Sequence, residues 1–180
     1  MPLAVTHFII PALIVALFRD WYNKKHKTRV PLHYVLIAGL AGVLPDIDIA
    51  VYGVLRFFAN YPIEEIHRTL THSLFFPLIF VVLALVFHAA NIPRLGKHKL
   101  HLPTIFWIFA FGTFMHILLD GTIDWYVHPF LPFSNYQFGL NLLGYLPAPF
   151  SGLALPFLDG VLLIAWLVYL ELRHKISDFI

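Results

Sequence analysis

Five apolar runs decide what this chain can become. They lie near Leu3 to Phe18, Val30 to Leu44, Leu74 to Ala90, Leu102 to Leu119 and Leu153 to Leu170. Each approaches the roughly 17 to 25 residues that a helix needs to cross a bilayer. Backbone in hydrocarbon must satisfy its own hydrogen bonds, so runs of this length read as helices. Composition agrees: 59% of the 180 residues are hydrophobic and 12% are charged, against roughly 25% charged in a soluble domain. The expected fold is all-α, a polytopic transmembrane helical bundle of about five spans. It reads as one domain over residues 1–180, without repeats. The first run passes into a basic cluster rather than a small-residue cleavage site, so it reads as a retained span.

The distribution of positive charge orients the bundle. Arg19, Lys24, Lys25, Lys27 and Arg29 follow the first run, Arg94, Lys97 and Lys99 follow the third, and Arg173 and Lys175 lie in the tail; only Arg56 and Arg68 fall elsewhere. With alternating spans these basic segments share one side, which the positive-inside rule places in the cytoplasm. The chain is thus expected in the cell (inner or plasma) membrane, its N-terminus outside. The basic loops read as topology and lipid-headgroup contact, not as nucleic-acid binding.

With no Cys in the chain, any bound metal must be held by His and carboxylate. Such residues gather at the expected extracytoplasmic ends of the spans. His7 opens the first, Asp46 and Asp48 close the second in Leu44-Pro45-Asp46-Ile47-Asp48, and His67, Arg68, Thr71 and His72 precede the third. His116 and Asp120 close the fourth at i and i+4, on one helix face. Burying such groups is costly unless they are paired or coordinated. Imidazole with carboxylate and no sulfur suits zinc, with manganese or iron as alternatives. The number of candidates allows one ion or two. A buried polar network is the competing reading.

Other ionisable residues read more plainly. His26, His98, His101 and His174 sit among basic residues, and His33 and His88 lie near span ends. His128, Asp124 and Asp159 are on the site's side of the chain. Asp159, after Pro156, is expected in the opening turn of the last span, either as a helix cap or as support for the site. The segment Pro45 to Leu70 reads as a connection carrying acids and histidines. The connection Asp120 to Gly152, rich in Pro, Gly and aromatics, reads as an interfacial cover. Prolines 11, 77 and 156 fall where they could kink or start spans.

At these residues the sequence resembles the YdjM-like family of membrane-bound metal-dependent hydrolases. The resemblance runs over about residues 5 to 135, through Thr6-His7, Leu-Pro-Asp-Ile-Asp, His-Arg-x-x-Thr-His-Ser, and His116 to Asp120 followed by Pro132-Phe133-Ser134. It implies a small helical membrane fold and metal-dependent hydrolysis, with motif positions on His7, Asp46, Asp48, His67, Arg68, His72, His116 and Asp120. After Asp120 the chain departs from the Thr-Pro-x-Gly of relatives, having Ile123-Asp124-Trp125-Tyr126. A more remote similarity is to zinc-dependent phospholipase C, which orders His, Asp, His and His-x-x-x-Asp along its chain and implies a phosphoester substrate.

The expected chemistry is metal-activated water attack. His7, Asp46, His72, His116 and Asp120 are the candidate metal ligands. His7 and His67 would complete a second ion or shuttle protons, Asp48 orients a ligand histidine, and Arg68 either grips an anionic substrate or pairs with Asp46 or Asp48. Membrane lipids are the expected surroundings, and a lipid or lipid-linked phosphoester the expected substrate. Three alternatives compete. A covalent phosphatidic-acid-type phosphatase lacks its Pro-Ser-Gly-His and Ser-Arg elements here. A metal or proton transporter wants ionisable groups across the whole membrane, and a non-catalytic membrane protein wants a closed structural metal site.

Overall fold

The computed structural model describes residues 4–26, 29–58, 63, 67, 69–90, 92–123 and 126–175, and each of the five apolar runs contains a helix among those residues. The helices are α1 (Ala4–His26), α2 (His33–Val43), α3 (Ile47–Leu55), α4 (Phe75–Ala89), α5 (Leu102–Ile123) and α6 (Phe150–His174). A 3-10 turn, Leu44–Asp46, joins α2 to α3. Together they form a 23-residue stretch, His33–Leu55, which with α1, α5 and α6 gives four helices long and apolar enough to cross a membrane. With 15 residues, α4 is about 22 Å long, shorter than a hydrocarbon core of about 30 Å.

The second stretch corrects one expectation. Pro45 does not end the helix: the chain tightens into the 3-10 turn and resumes at Ile47. Proline has no N–H to leave unsatisfied in a first turn, so it is tolerated where one helical segment passes into the next. Asp46 and Asp48 are therefore held inside a helical stretch, and Asp48 is the only buried residue of α3.

α2 packs between α1 and α5, α4 lies on α5, and α6 lies on α1. Small residues permit the central approach, with Ala38 and Ala41 fully buried on α2. A Cβ at Gly42 would stand 2.1 Å from the carbonyl oxygen of His7, and one at Gly112 would stand 2.5 Å from Ala41 Cβ. Both positions need glycine because backbone meets backbone there. Pro11, inside α1, cannot donate to that same His7 carbonyl. Gly42 thus nests against a turn of α1 already opened by proline.

Outside this seam the helices turn large apolar side chains outward, among them Leu36, Leu40, Leu78, Val82, Phe157 and Ile164. Such a surface suits lipid and not water. At the basic end Arg19 donates to Val30 O and to Asp20, and Tyr169 donates to Asp20 from α6. At the other end the chain after α5 forms a strap. Val127 and Phe138 exchange backbone hydrogen bonds, Leu140 N donates to Gly121 O, and Leu74 N donates to Pro129 O. These bonds pin the strap to the end of α5 and the start of α4.

Candidate metal centre

Each donor reaches the centre for a local reason. His7 is brought inward by the close contact of α1 with Gly42, and Asp46 sits at the junction of α2 and α3. His72 ends a 3-10 turn, Leu70–His72, just before α4. His116 and Asp120 lie one turn apart on the buried face of α5. His7, His72, His116 and Asp120 are fully buried, whereas the Asp46 side chain keeps 16% of its surface open.

Four atoms face one another. His72 Nε2 and His116 Nε2 are 3.1 Å apart. Asp46 Oδ1 lies 3.5 Å from both, and Asp120 Oδ2 lies 3.6 Å from both. Nitrogen and oxygen ligands about 2.0–2.1 Å from a tetrahedral zinc stand about 3.3–3.4 Å from one another. The spacing therefore has the scale of a ligand shell.

The hydrogen bonds behind the histidines fix which nitrogen is free. His116 Nδ1 donates to Gly42 O at 2.7 Å. A carbonyl only accepts, so in the neutral ring the lone pair is on Nε2 and faces the centre. On the other side Asp48 Oδ2 accepts from the Thr71 hydroxyl at 2.7 Å and lies 3.3 Å from His72 Nδ1. His72 therefore also presents Nε2 inward. Asp48 Oδ1 takes the Nδ1–H of His67 at 2.8 Å, which leaves His67 Nε2 free. Buried histidines backed by carboxylate or carbonyl are the usual support of a metal site.

The inner atoms have no such partners. His7 Nδ1 and Nε2, Asp46 Oδ1, both oxygens of Asp120 and His67 Nε2 are buried without a hydrogen bond among the described residues. Leaving carboxylates in that condition costs several kcal/mol each. A cation removes the penalty, and the donor set of imidazoles and carboxylates fits a divalent transition ion. Before any ion enters, burial works against a proton on His72. The carboxylates of Asp46 and Asp48 outweigh it and hold the imidazole pKa up at about 9.

The remaining candidates separate clearly. His128 pairs with the Gln137 side-chain amide at 3.1 Å and joins none of the candidate metal groups among the described residues. Asp159 is not in an opening turn, because α6 begins at Phe150; it caps α1 by accepting from the backbone N–H and the hydroxyl of Thr6. Arg68 and Asp124 lie outside the described residues. The sequence reading missed Gly42, whose carbonyl orients His116; the Ala41-Gly42 pair beside the Pro-Asp turn was its only signal.

Fold and site together define an α-helical membrane protein with a buried His and Asp cluster able to hold a divalent ion. Residues 1–175 match the family described as YdjM inner membrane protein, and the chain belongs to that family. Comparisons with curated proteins and with solved structures gave no match. The similarity to zinc-dependent phospholipase C thus rests on motif order alone.

Proposed function

We propose that this chain is a membrane-embedded, metal-dependent hydrolase that cleaves an ester or phosphoester bond of a lipid or lipid-linked substrate. The observation that carries the reading is the pair His72 Nε2 and His116 Nε2, 3.1 Å apart, with Asp46 Oδ1 at 3.5 Å and Asp120 Oδ2 at 3.6 Å from each of them. Zinc is the preferred occupant, with manganese or iron as substitutes. A divalent ion bound there supplies Lewis acidity and brings the pKa of a coordinated water near neutrality.

The chain's own residues supply the rest. Asp46, partly open while the other donors are sealed, marks the side from which water and substrate approach. An open side is what a catalytic site needs and a structural one lacks. His67, with Asp48 fixing its Nδ1–H, has an Nε2 without a partner among the described residues, able to take a proton from water and return it to the leaving group. Asp48 stabilises the imidazolium meanwhile, and Arg68, next in the chain, is assigned to the substrate's anionic group.

The lipid assignment rests on surroundings. An apolar cavity of about 260 Å³, lined by Leu74, Ile117, Phe130, Tyr136 and Phe138 among others, lies under the strap. Its wall includes Ile117 and Leu118 of α5, the helix that also carries His116 and Asp120. Transport fits less well, because the buried ionisable residues, His7, Asp48, His72, His116, Asp120 and Asp159, cluster at one end among the described residues. The charge bias of the basic loops supports an extracytoplasmic position for that end.

The test is purified protein in mixed micelles with phospholipids and soluble ester and phosphoester probes. Hydrolysis that stops on chelation and returns with zinc supports the reading. His67→Ala should retain metal yet slow turnover by about 10²–10⁴-fold. Metal-loaded protein that turns over none of these substrates, or activity indifferent to chelation, contradicts it.

A further inference from the structure

One ion uses one donor atom from each of Asp46, His72, His116 and Asp120, and this leaves buried donors over. His67 Nε2 has the proton-transfer role given above. His7 Nε2 and Asp120 Oδ1 have none: both are fully buried and neither makes a hydrogen bond among the described residues. They stand 3.2 Å apart without the alignment of donor and acceptor. That separation again has the scale of two ligands on one ion.

Asp120 presents its oxygens to different partners. Oδ2 lies 3.6 Å from His72 Nε2 and from His116 Nε2, while Oδ1 lies 3.2 Å from His7 Nε2. The His7 and His116 rings stack with centroids 3.8 Å apart and planes inclined by 21°. Two-metal hydrolytic centres hold their ions about 3.5–4 Å apart. The stacked imidazoles thus have the offset that two neighbouring ions require. Asp46 offers an oxygen within 4.8 Å of ligand nitrogens of both His7 and His116, so it can serve either position.

We propose a two-ion centre in which His7 Nε2 and Asp120 Oδ1 hold a second divalent ion, Asp120 bridges the pair, and Asp46 completes the second position. This inference rests on the metal reading above and adds a substrate preference. Against the three carboxylates of Asp46, Asp48 and Asp120, one divalent ion leaves a unit of negative charge and two leave a unit of positive charge. The two-ion form, more positive by two charges, is therefore drawn more strongly than the one-ion form to an anionic phosphoester.

The experiment is titration of metal-stripped, detergent-solubilised full chain with Mn²⁺, read by bound-metal stoichiometry and by electron paramagnetic resonance. Wild type should take two ions per chain and give an exchange-coupled spectrum. His7→Ala and His7→Gln should take one ion and give the signal of isolated Mn²⁺. Wild type saturating at one ion, or His7 variants that keep two coupled ions, overturns the second site and leaves the one-ion reading standing. Wild type that binds none overturns both. Should the His7 variants fail to fold, wild-type stoichiometry and coupling decide the matter alone.

Discussion

Asp159 and Thr6, 153 residues apart, join α6 to the first turn of α1: the carboxylate accepts the Thr6 N–H at 2.9 Å and also the Thr6 hydroxyl. Asp159 is the only buried residue of α6. First-turn N–H groups have no partner within their own helix, and in a membrane water does not supply one. The cap holds the turn that carries His7, so Asp159 is a positioning residue for the cluster. Asp159→Ala should weaken metal binding by about 10–100-fold, as loss of outer-shell support does, while Asp159→Asn recovers part of it. Competition with a chromophoric chelator measures this; unchanged affinity in Asp159→Ala would remove that role.

Gly42 gives a sharper steric prediction. A methyl group there meets the His7 carbonyl at 2.1 Å, and the backbone atom cannot rotate away. Gly42→Ala should cost about 1–3 kcal/mol of stability and lower metal affinity, because α1, α2 and the His116 orientation all depend on that contact. Gly53→Ala, with open space around its Cβ, is the control. Thermal melts in detergent should separate the two, and equal melting temperatures would contradict the packing account.

Proton competition follows from His72. Its pKa in the ion-free protein is raised to about 9, so below that pH the ring holds a proton that an incoming ion must expel. Apparent affinity should rise about tenfold per pH unit through the neutral range and level off near 9. Isothermal titration calorimetry in buffers of different ionisation enthalpy should register about one proton released from this ring at pH 7. Metal affinity that is flat from pH 6 to 8 would count against His72 as a ligand.

Much of this arrangement was legible in the sequence. His116 and Asp120 are one helical turn apart, so one face was certain once α5 was recognised, and alternation of spans brought His7, Asp46 and His72 to the same end. Tertiary contacts hid the rest. The segment from Pro45 onward reads as a connection, yet the chain continues through a 3-10 turn into α3, which set Asp46 and Asp48 within helical structure. Asp159 looked like a cap for its own helix because local rules see only neighbours in the chain; its partner is Thr6. Gly42 acts through its carbonyl, which residue type does not advertise.

Topology is testable because the chain has no Cys. Asn135 lies on the strap beside the site, and Lys97 in the basic loop between α4 and α5; both are exposed. Asn135→Cys should react with an impermeant thiol reagent on intact cells, and Lys97→Cys only after lysis. The reverse pattern would turn the site to the cytoplasm and change the substrates available to it.

The most direct test of the central claim is metal analysis of purified protein. Wild type and His174→Ala, altered far from the cluster, should each carry zinc or a similar transition ion after gentle purification or zinc loading. His116→Ala and Asp120→Ala should carry none while remaining folded by circular dichroism. Wild type that binds no transition ion under either condition, or ligand variants that keep the wild-type content, would contradict the metal centre and leave a buried polar network in its place.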